Sequence, residues 1–113
     1  IERRAARIEI DLKALEITEL RILSCVSGGG NPGPESSILK LNTTRLEQEI
    51  NELSVDVLGY QGFAMDPVAN GSPYRPDFAS SVVPRYLNNR AASIFGGSQE
   101  VQRNIIAKMV LGL

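Results

Sequence analysis

The chain has 113 residues, 42% of them apolar and 5% aromatic, with no tryptophan and no histidine. That length accommodates one domain with a real core and not two, and a formal charge of −1 provides no basic surface for nucleic acid. The missing histidine removes Ser/His/Asp and Cys/His catalysis and the Glu-x-x-His di-iron sites of helical bundles, so any chemistry falls to carboxylates, main-chain dipoles or a bound cofactor.

A composition led by Leu, Ile, Val and Ala suits helices better than a β-sandwich. In the first helix Ile1, Ala5, Ile8, Leu12, Leu15, Glu19 and Ile22 recur at spacings of three and four, with Leu20, Leu23 and Val26 widening the later half. It stops at Gly28-Gly29-Gly30, and Asn31-Pro32-Gly33-Pro34 cannot continue it. Around this helix Glu9, Asp11, Glu16 and Glu19 are spread too widely for a metal site and read as a solvated face. The one cysteine, Cys25, has no partner for an internal disulfide. It reads as a small packed residue in a reducing compartment.

The second helix begins around Pro34-Glu35-Ser36, where proline and an acidic residue suit a first turn. Leu39, Leu46, Ile50, Leu53 and Val57 form its inner face, and it ends near Gly59. From Gly62 to Phe78 the chain is rich in Gly, Pro and Asn and reads as a long loop. Its segment Pro73-Tyr74-Arg75-Pro76-Asp77-Phe78 fits a lid or an ordinary connector. A third helix is predicted from near Ser81 to about Ile94, with Pro84 in its first turn. A fourth starts at Gly97-Ser98, with Val101, Ile105, Ile106, Met109 and Val110 on a stripe broad enough to face more than one neighbour. Arg85, Arg90 and Arg103 are candidates for surface ion pairs or anion contacts. Short links between amphipathic helices imply an all-α antiparallel four-helix bundle. No apolar run approaches the ~20 residues of a membrane span and no signal-like segment is seen, so a cytoplasmic protein is expected. The opening Ile1-Glu2-Arg3-Arg4 has mid-helix character and suggests a piece of a longer protein.

The most informative string is Ser93-Ile94-Phe95-Gly96-Gly97-Ser98-Gln99-Glu100-Val101-Gln102-Arg103-Asn104-Ile105-Ile106. Two glycines let the backbone approach another group closely, and the helix behind them points unpaired N–H groups at it. By spacing alone Ser98 is an N-cap and no more. The whole string, and the stretch Arg90–Leu113 around it, resembles the C-terminal signature of the acyl-CoA dehydrogenases, flavoenzymes that oxidise acyl-CoA thioesters to enoyl-CoA.

The resemblance implies that residues 1–113 are the single C-terminal helical domain of an FAD-dependent dehydrogenase. That parent would desaturate an acyl-CoA at its α,β bond and pass electrons to an electron-transfer flavoprotein. It implies that Ser98 and Glu100 touch the adenosine diphosphate part of FAD, and that the Gly97 N–H polarises the thioester carbonyl. Glu100 stands where many relatives have glutamine; a carboxylate there suits a ribose hydroxyl or the adenine amine better than a pyrophosphate. Asp56-Val57-Leu58-Gly59-Tyr60-Gln61-Gly62 is similar to the family's Gln-Ile-x-Gly-Gly-x-Gly, which in relatives packs against FAD across a dimer interface. Asp56, Gly59 and Tyr60 are therefore further cofactor candidates, although the glycines also serve to end a helix.

Gly96 occupies the position at which the best-known relatives carry the glutamate base. Three sources stay open: a glutamate on a helix before Ile1, a pairing of unlike subunits of which one is active, or Glu100 itself. A non-catalytic assembly module of a homo- or hetero-oligomer, and an oxidase that passes electrons to oxygen, are the alternative readings. The isolated 113-residue piece is expected neither to retain FAD nor to turn over.

Overall fold

Helix α1 (Glu2–Ser27) ends where Gly28 and Gly30 donate back to the Ser24 and Cys25 carbonyls at 3.1 and 3.0 Å. The computed structural model describes residues 1–62 and 78–113. Of the expected long loop, residues 63–77, with most of the candidate lid, lie outside the described residues. The face of α1 that is covered runs through Ile8, Asp11, Leu15, Thr18 and Ile22. Ala5 and Leu12 of the expected stripe are exposed. The buried strip is narrower than its hydrophobic pattern because α1 packs against α2 (Glu35–Leu58) as its main neighbour. Arg4 pairs with Glu52 and Asp56, and Asp11 pairs with Arg45 at 2.8 Å. Residue numbers that rise on one helix as they fall on the other make the pair antiparallel.

Helix α2 is the shared partner: α1, α3 (Ala79–Asn89) and α4 (Gln99–Met109) all pack on it. Leu46 is 2% exposed and anchors the core with Ile8, Ala79, Val83 and Ala92. Leu39 and Leu53 are half-buried, whereas Ile50 and Val57 of the expected inner face are exposed. Their place is taken by a buried polar stripe at sevenfold spacing, Ser37, Thr44 and Asn51. Asn51 Nδ2 has no hydrogen-bond partner among the described residues.

Helix α3 begins two residues earlier than its sequence signal, which places Pro84 in the second turn rather than the first. It ends at Asn89, and the predicted last turn tightens into a 3₁₀ turn, Arg90–Ser93. On α4, Ile105 and Ile106 are half-buried, but Val101, Met109 and Val110 are 49%, 68% and 49% exposed. The expected burial of that stripe is incomplete because α4 meets mainly α2 within this chain. The described residues are all helix, turn and link, with no strand, as an all-α four-helix domain requires. No helix among them is long and apolar enough to cross a membrane.

Candidate functional site

The connector from α3 to α4 is built by contacts from α2. Helix ends leave carbonyls without intrahelical donors, and α2 supplies donors to them. Gln48 Nε2 donates to the Asn89 carbonyl at 3.2 Å, and Asn89 Nδ2 donates to Glu47 at 3.0 Å. One turn of connector later, Lys40 Nζ donates to the Ala92 carbonyl at 2.7 Å and to Thr44 Oγ1 at 3.1 Å. The same ammonium lies 5.5 Å from the Phe95 ring centroid, over its face.

The chain then turns through Gly96 at φ +67° and Gly97 at φ +92°, a backbone that side chains with a Cβ rarely adopt. Neither N–H of this glycine pair has an acceptor among the described residues. Ser98, in extended conformation, caps α4 by accepting from the Val101 N–H at 3.4 Å. Gln102 reaches back over the hinge, its Nε2 at 3.5 Å from the Gly96 carbonyl and directly where a Cβ on Gly97 would stand. Gly96 is exposed, and Gly97 and Ser98 are half-buried. The result is a short main-chain segment with free donors, gripped on one side by Lys40 and covered on another by Gln102.

The model of the acyl-CoA dehydrogenase C-terminal domain matches residues 1–111. This chain belongs to the acyl-CoA dehydrogenase family. Acyl-CoA dehydrogenase IpdE1 of Mycobacterium tuberculosis is 40% identical over 83 residues, covering 73% of this chain and 19% of the relative. IpdE1 of Mycolicibacterium smegmatis is 38% identical over 82 residues, 73% of this chain and 18% of the relative. Acyl-CoA dehydrogenase FadE34 of Mycobacterium tuberculosis is 30% identical over 110 residues, 97% of this chain and 14% of the relative. The chain thus spans less than a fifth of the length of these curated relatives. No solved structure matches it.

Within this dehydrogenase domain, Glu100 sits in the first turn of α4 with its carboxyl held below the ordinary glutamate value. Its own backbone N–H is the leading cause, followed by the Ser98 hydroxyl, with Arg103 adding a smaller effect. A carboxylate so placed complements the helix N-terminus and is a weak proton acceptor.

Asp56 forms an ion pair with Arg4, Gly59 turns at φ +52°, and Tyr60 stands 96% exposed in a 3₁₀ turn, Gly59–Gly62. Sixteen residues of helix separate Asp56 from Lys40, about 24 Å at ~1.5 Å per residue. The Asp56–Tyr60 group and the Gly97–Glu100 group therefore lie near opposite ends of α2 and do not converge within one chain.

A cavity of about 440 Å³ lies elsewhere, between the last turns of α1 and the link to α2. Arg21, Ile22, Cys25, Pro32 and Ile38 line it, and Cys25 is exposed rather than packed. Around α1, Glu16 pairs with Lys13 at 3.0 Å and Asp11 with Arg45, while Glu9 and Glu19 face solvent. Arg90 pairs with Glu52 at 2.6 Å and stacks 4.6 Å from the Tyr86 ring, and Arg103 approaches Gln99 Oε1 at 3.5 Å. Lys40 and Gln102 are the residues that sequence reading passed over. A lysine one turn into α2 gives no local sign that it reaches a carbonyl 52 positions further on.

Proposed function

We propose that the chain is the C-terminal domain of a larger FAD-dependent acyl-CoA dehydrogenase, and that Gly97 supplies a main-chain donor to the thioester carbonyl of the substrate. One observation carries this reading: the Gly96–Gly97 hinge holds N–H groups without acceptors among the described residues, immediately before a capped helix. Loss of a proton from the α-carbon leaves enolate charge on the thioester oxygen, and a positioned N–H stabilises that charge most effectively in a site shielded from water. Gly97 needs to be glycine for this, since any side chain would meet both an unfavourable φ and the Gln102 amide.

FAD, when bound, supplies the hydride acceptor. The residues present suit its ribose and adenine rather than its pyrophosphate, because the Glu100 carboxylate accepts hydrogen bonds and repels phosphate. Ser98 caps α4 through the Val101 N–H. The base is proposed to lie outside these 113 residues, since Gly96 has no proton-accepting group and Glu100, its carboxyl held below the ordinary value, is a weak proton acceptor. The Asp56–Tyr60 end of α2, remote from the hinge, is proposed to meet the cofactor of a neighbouring subunit. An electron-transfer flavoprotein is the proposed acceptor of the electrons, and the cytoplasm the proposed location.

The test is to expose the intact parent protein, loaded with FAD, anaerobically to a panel of acyl-CoA thioesters. Bleaching of the flavin absorbance by at least one of them is expected. Full flavin loading with no bleaching, alone and with partner subunits, would favour the second reading, an assembly module. That reading draws on Gly96 and on the exposed apolar residues Ile10, Ile17 and Leu20 of α1.

A further inference from the structure

We propose that Lys40 is a positioning residue for the thioester site: its ammonium, fixed on α2, sets where the Gly96–Gly97 hinge presents its N–H groups. The proposal rests on the reading of Gly97 given above and adds a residue that neither the glycine motif nor the helix cap contains.

An ammonium has three donors and no acceptor. Here one goes to the Ala92 carbonyl, one goes to Thr44, and the remaining face of the cation lies over Phe95. Ala92 and Thr44 are 4% and 3% exposed, so both oxygens lie in a water-poor setting. A hydrogen bond from a charged donor is stronger than a neutral one, and losing it leaves a buried carbonyl unpaired. A lysine near the carbonyl end of a helical turn is also favoured by the turn's dipole. Lys40, Thr44 and Gln48 follow one another at i, i+4 and i+8 on one side of α2, and two of them donate to carbonyls three residues apart, Gln48 to Asn89 at the end of α3 and Lys40 to Ala92 in the connector. The stem of Lys40 continues the contact, its Cε lying 3.7 Å from where a Cβ on Gly96 would stand.

The glycines themselves cannot hold this geometry. Glycine is the residue with most conformational freedom, and both N–H groups of the pair lack acceptors among the described residues. Rigidity must come from either side: from the Ser98 cap on the α4 side, and from Lys40 on the α3 side. A donor displaced by about 1 Å can cost on the order of a hundredfold in rate, so the anchor is coupled to the reaction without touching substrate.

The experiment uses the full-length parent carrying Lys40→Met, which keeps the stem and removes the donors, beside Lys40→Arg and, as a control for lost surface charge, Lys13→Met. The first readout is amide hydrogen exchange of the peptide covering Ile94–Val101. Exchange at least fivefold faster in Lys40→Met, with α1 and the first turns of α2 unchanged, is expected. The second readout is anaerobic flavin bleaching by an acyl-CoA that bleaches the wild type, with the rate expected to fall at least tenfold while the half-saturating acyl-CoA concentration changes less than threefold. Lys40→Arg is expected to recover at least half of each logarithmic change, and Lys13→Met to behave as wild type. Unchanged exchange at the hinge, a uniform rise across all helices, or faster hinge exchange with an unchanged bleaching rate would each overturn the proposal. If the wild type is bleached by no acyl-CoA, the dehydrogenase reading fails, and the exchange readout alone then decides whether Lys40 holds the hinge.

Discussion

Replacing Gly97 by alanine separates the two reasons for a glycine there. At φ +92° an L-residue carries a backbone penalty of about 1–2 kcal/mol. The second reason is crowding, since the new methyl group would meet Gln102 Nε2. That atom is the far end of a flexible side chain, and its bond to the Gly96 carbonyl is long at 3.5 Å, so moving it costs little. Stiffening of the unfolded chain by alanine offsets only part, ~0.4–1 kcal/mol where the native conformation is compatible, and here it is not. Gly97→Ala in the 113-residue chain is therefore expected to lose about 1–2 kcal/mol. With a urea slope of ~2 kcal/mol/M, that corresponds to a midpoint lowered by roughly 0.5–1 M at unchanged slope, followed by far-ultraviolet circular dichroism. Adding Gln102→Ala should return less than about 0.5 kcal/mol, because it relieves the contact and leaves the dihedral angle. Full recovery in the double variant would show that crowding dominates. A Gly97→Ala midpoint equal to wild type would refute the backbone argument itself.

Four further outcomes follow from the same geometry. Ser98→Ala removes the acceptor of the Val101 N–H and should cost about 1 kcal/mol in a urea titration; no change would mean the cap is satisfied otherwise. Glu100 has a folded pKa below its unfolded value of 4.5, so its contribution is present above about pH 4.5 and is lost as pH falls through the lower folded value. The stability gap between wild type and Glu100→Gln should therefore narrow in acid, and a gap independent of pH would contradict this. Leu46→Ala, at a site 2% exposed, should cost about 2–5 kcal/mol by lost burial and a residual cavity, read as a lowered urea midpoint. Gly96→Glu in the intact parent should not increase flavin bleaching, because φ +67° disfavours the side chain and the Lys40 stem adjoins its Cβ. There the ammonium would pair with the new carboxylate and weaken it as a base. A gain in rate would refute that.

Helix existence was legible because it depends on local pattern. The predicted stops at Gly28 and near Gly59 agree with ends at Ser27 and Leu58, since glycine breaks helices through its own backbone. What was not legible depends on partners distant in sequence. The Ser37/Thr44/Asn51 stripe is buried, yet a search for apolar periodicity passes over it, because its residues are polar. The α3 ending hangs on side chains of α2 that accept from Asn89 and donate to its carbonyl, so propensity alone carried the predicted helix on to Ile94. The turn ahead of α4 is legible from its glycine pair, which adopts positive φ, but Lys40 and Gln102, which hold and cover it, are ordinary polar residues on helices until the fold assembles them.

The apolar stripes on α1 and α4 show the converse limit. Periodicity states which side chains gain from burial and not which surface buries them. Ile17 and Leu20 on α1, like Val101, Met109 and Val110 on α4, are each roughly half or more exposed here, although the pattern marked several of them as interior. Contiguous exposed apolar residues of this kind signal contact surfaces, and the chain covers only 14–19% of the length of its curated relatives. The proposed parent and its proposed oligomer account for both facts together with a third, the roughly 24 Å of helix between the Asp56 and Lys40 ends of α2. If each end faces a different neighbour, α2 is the strut that keeps two contact regions at fixed separation, and its own stability, centred on Leu46, becomes a condition for both.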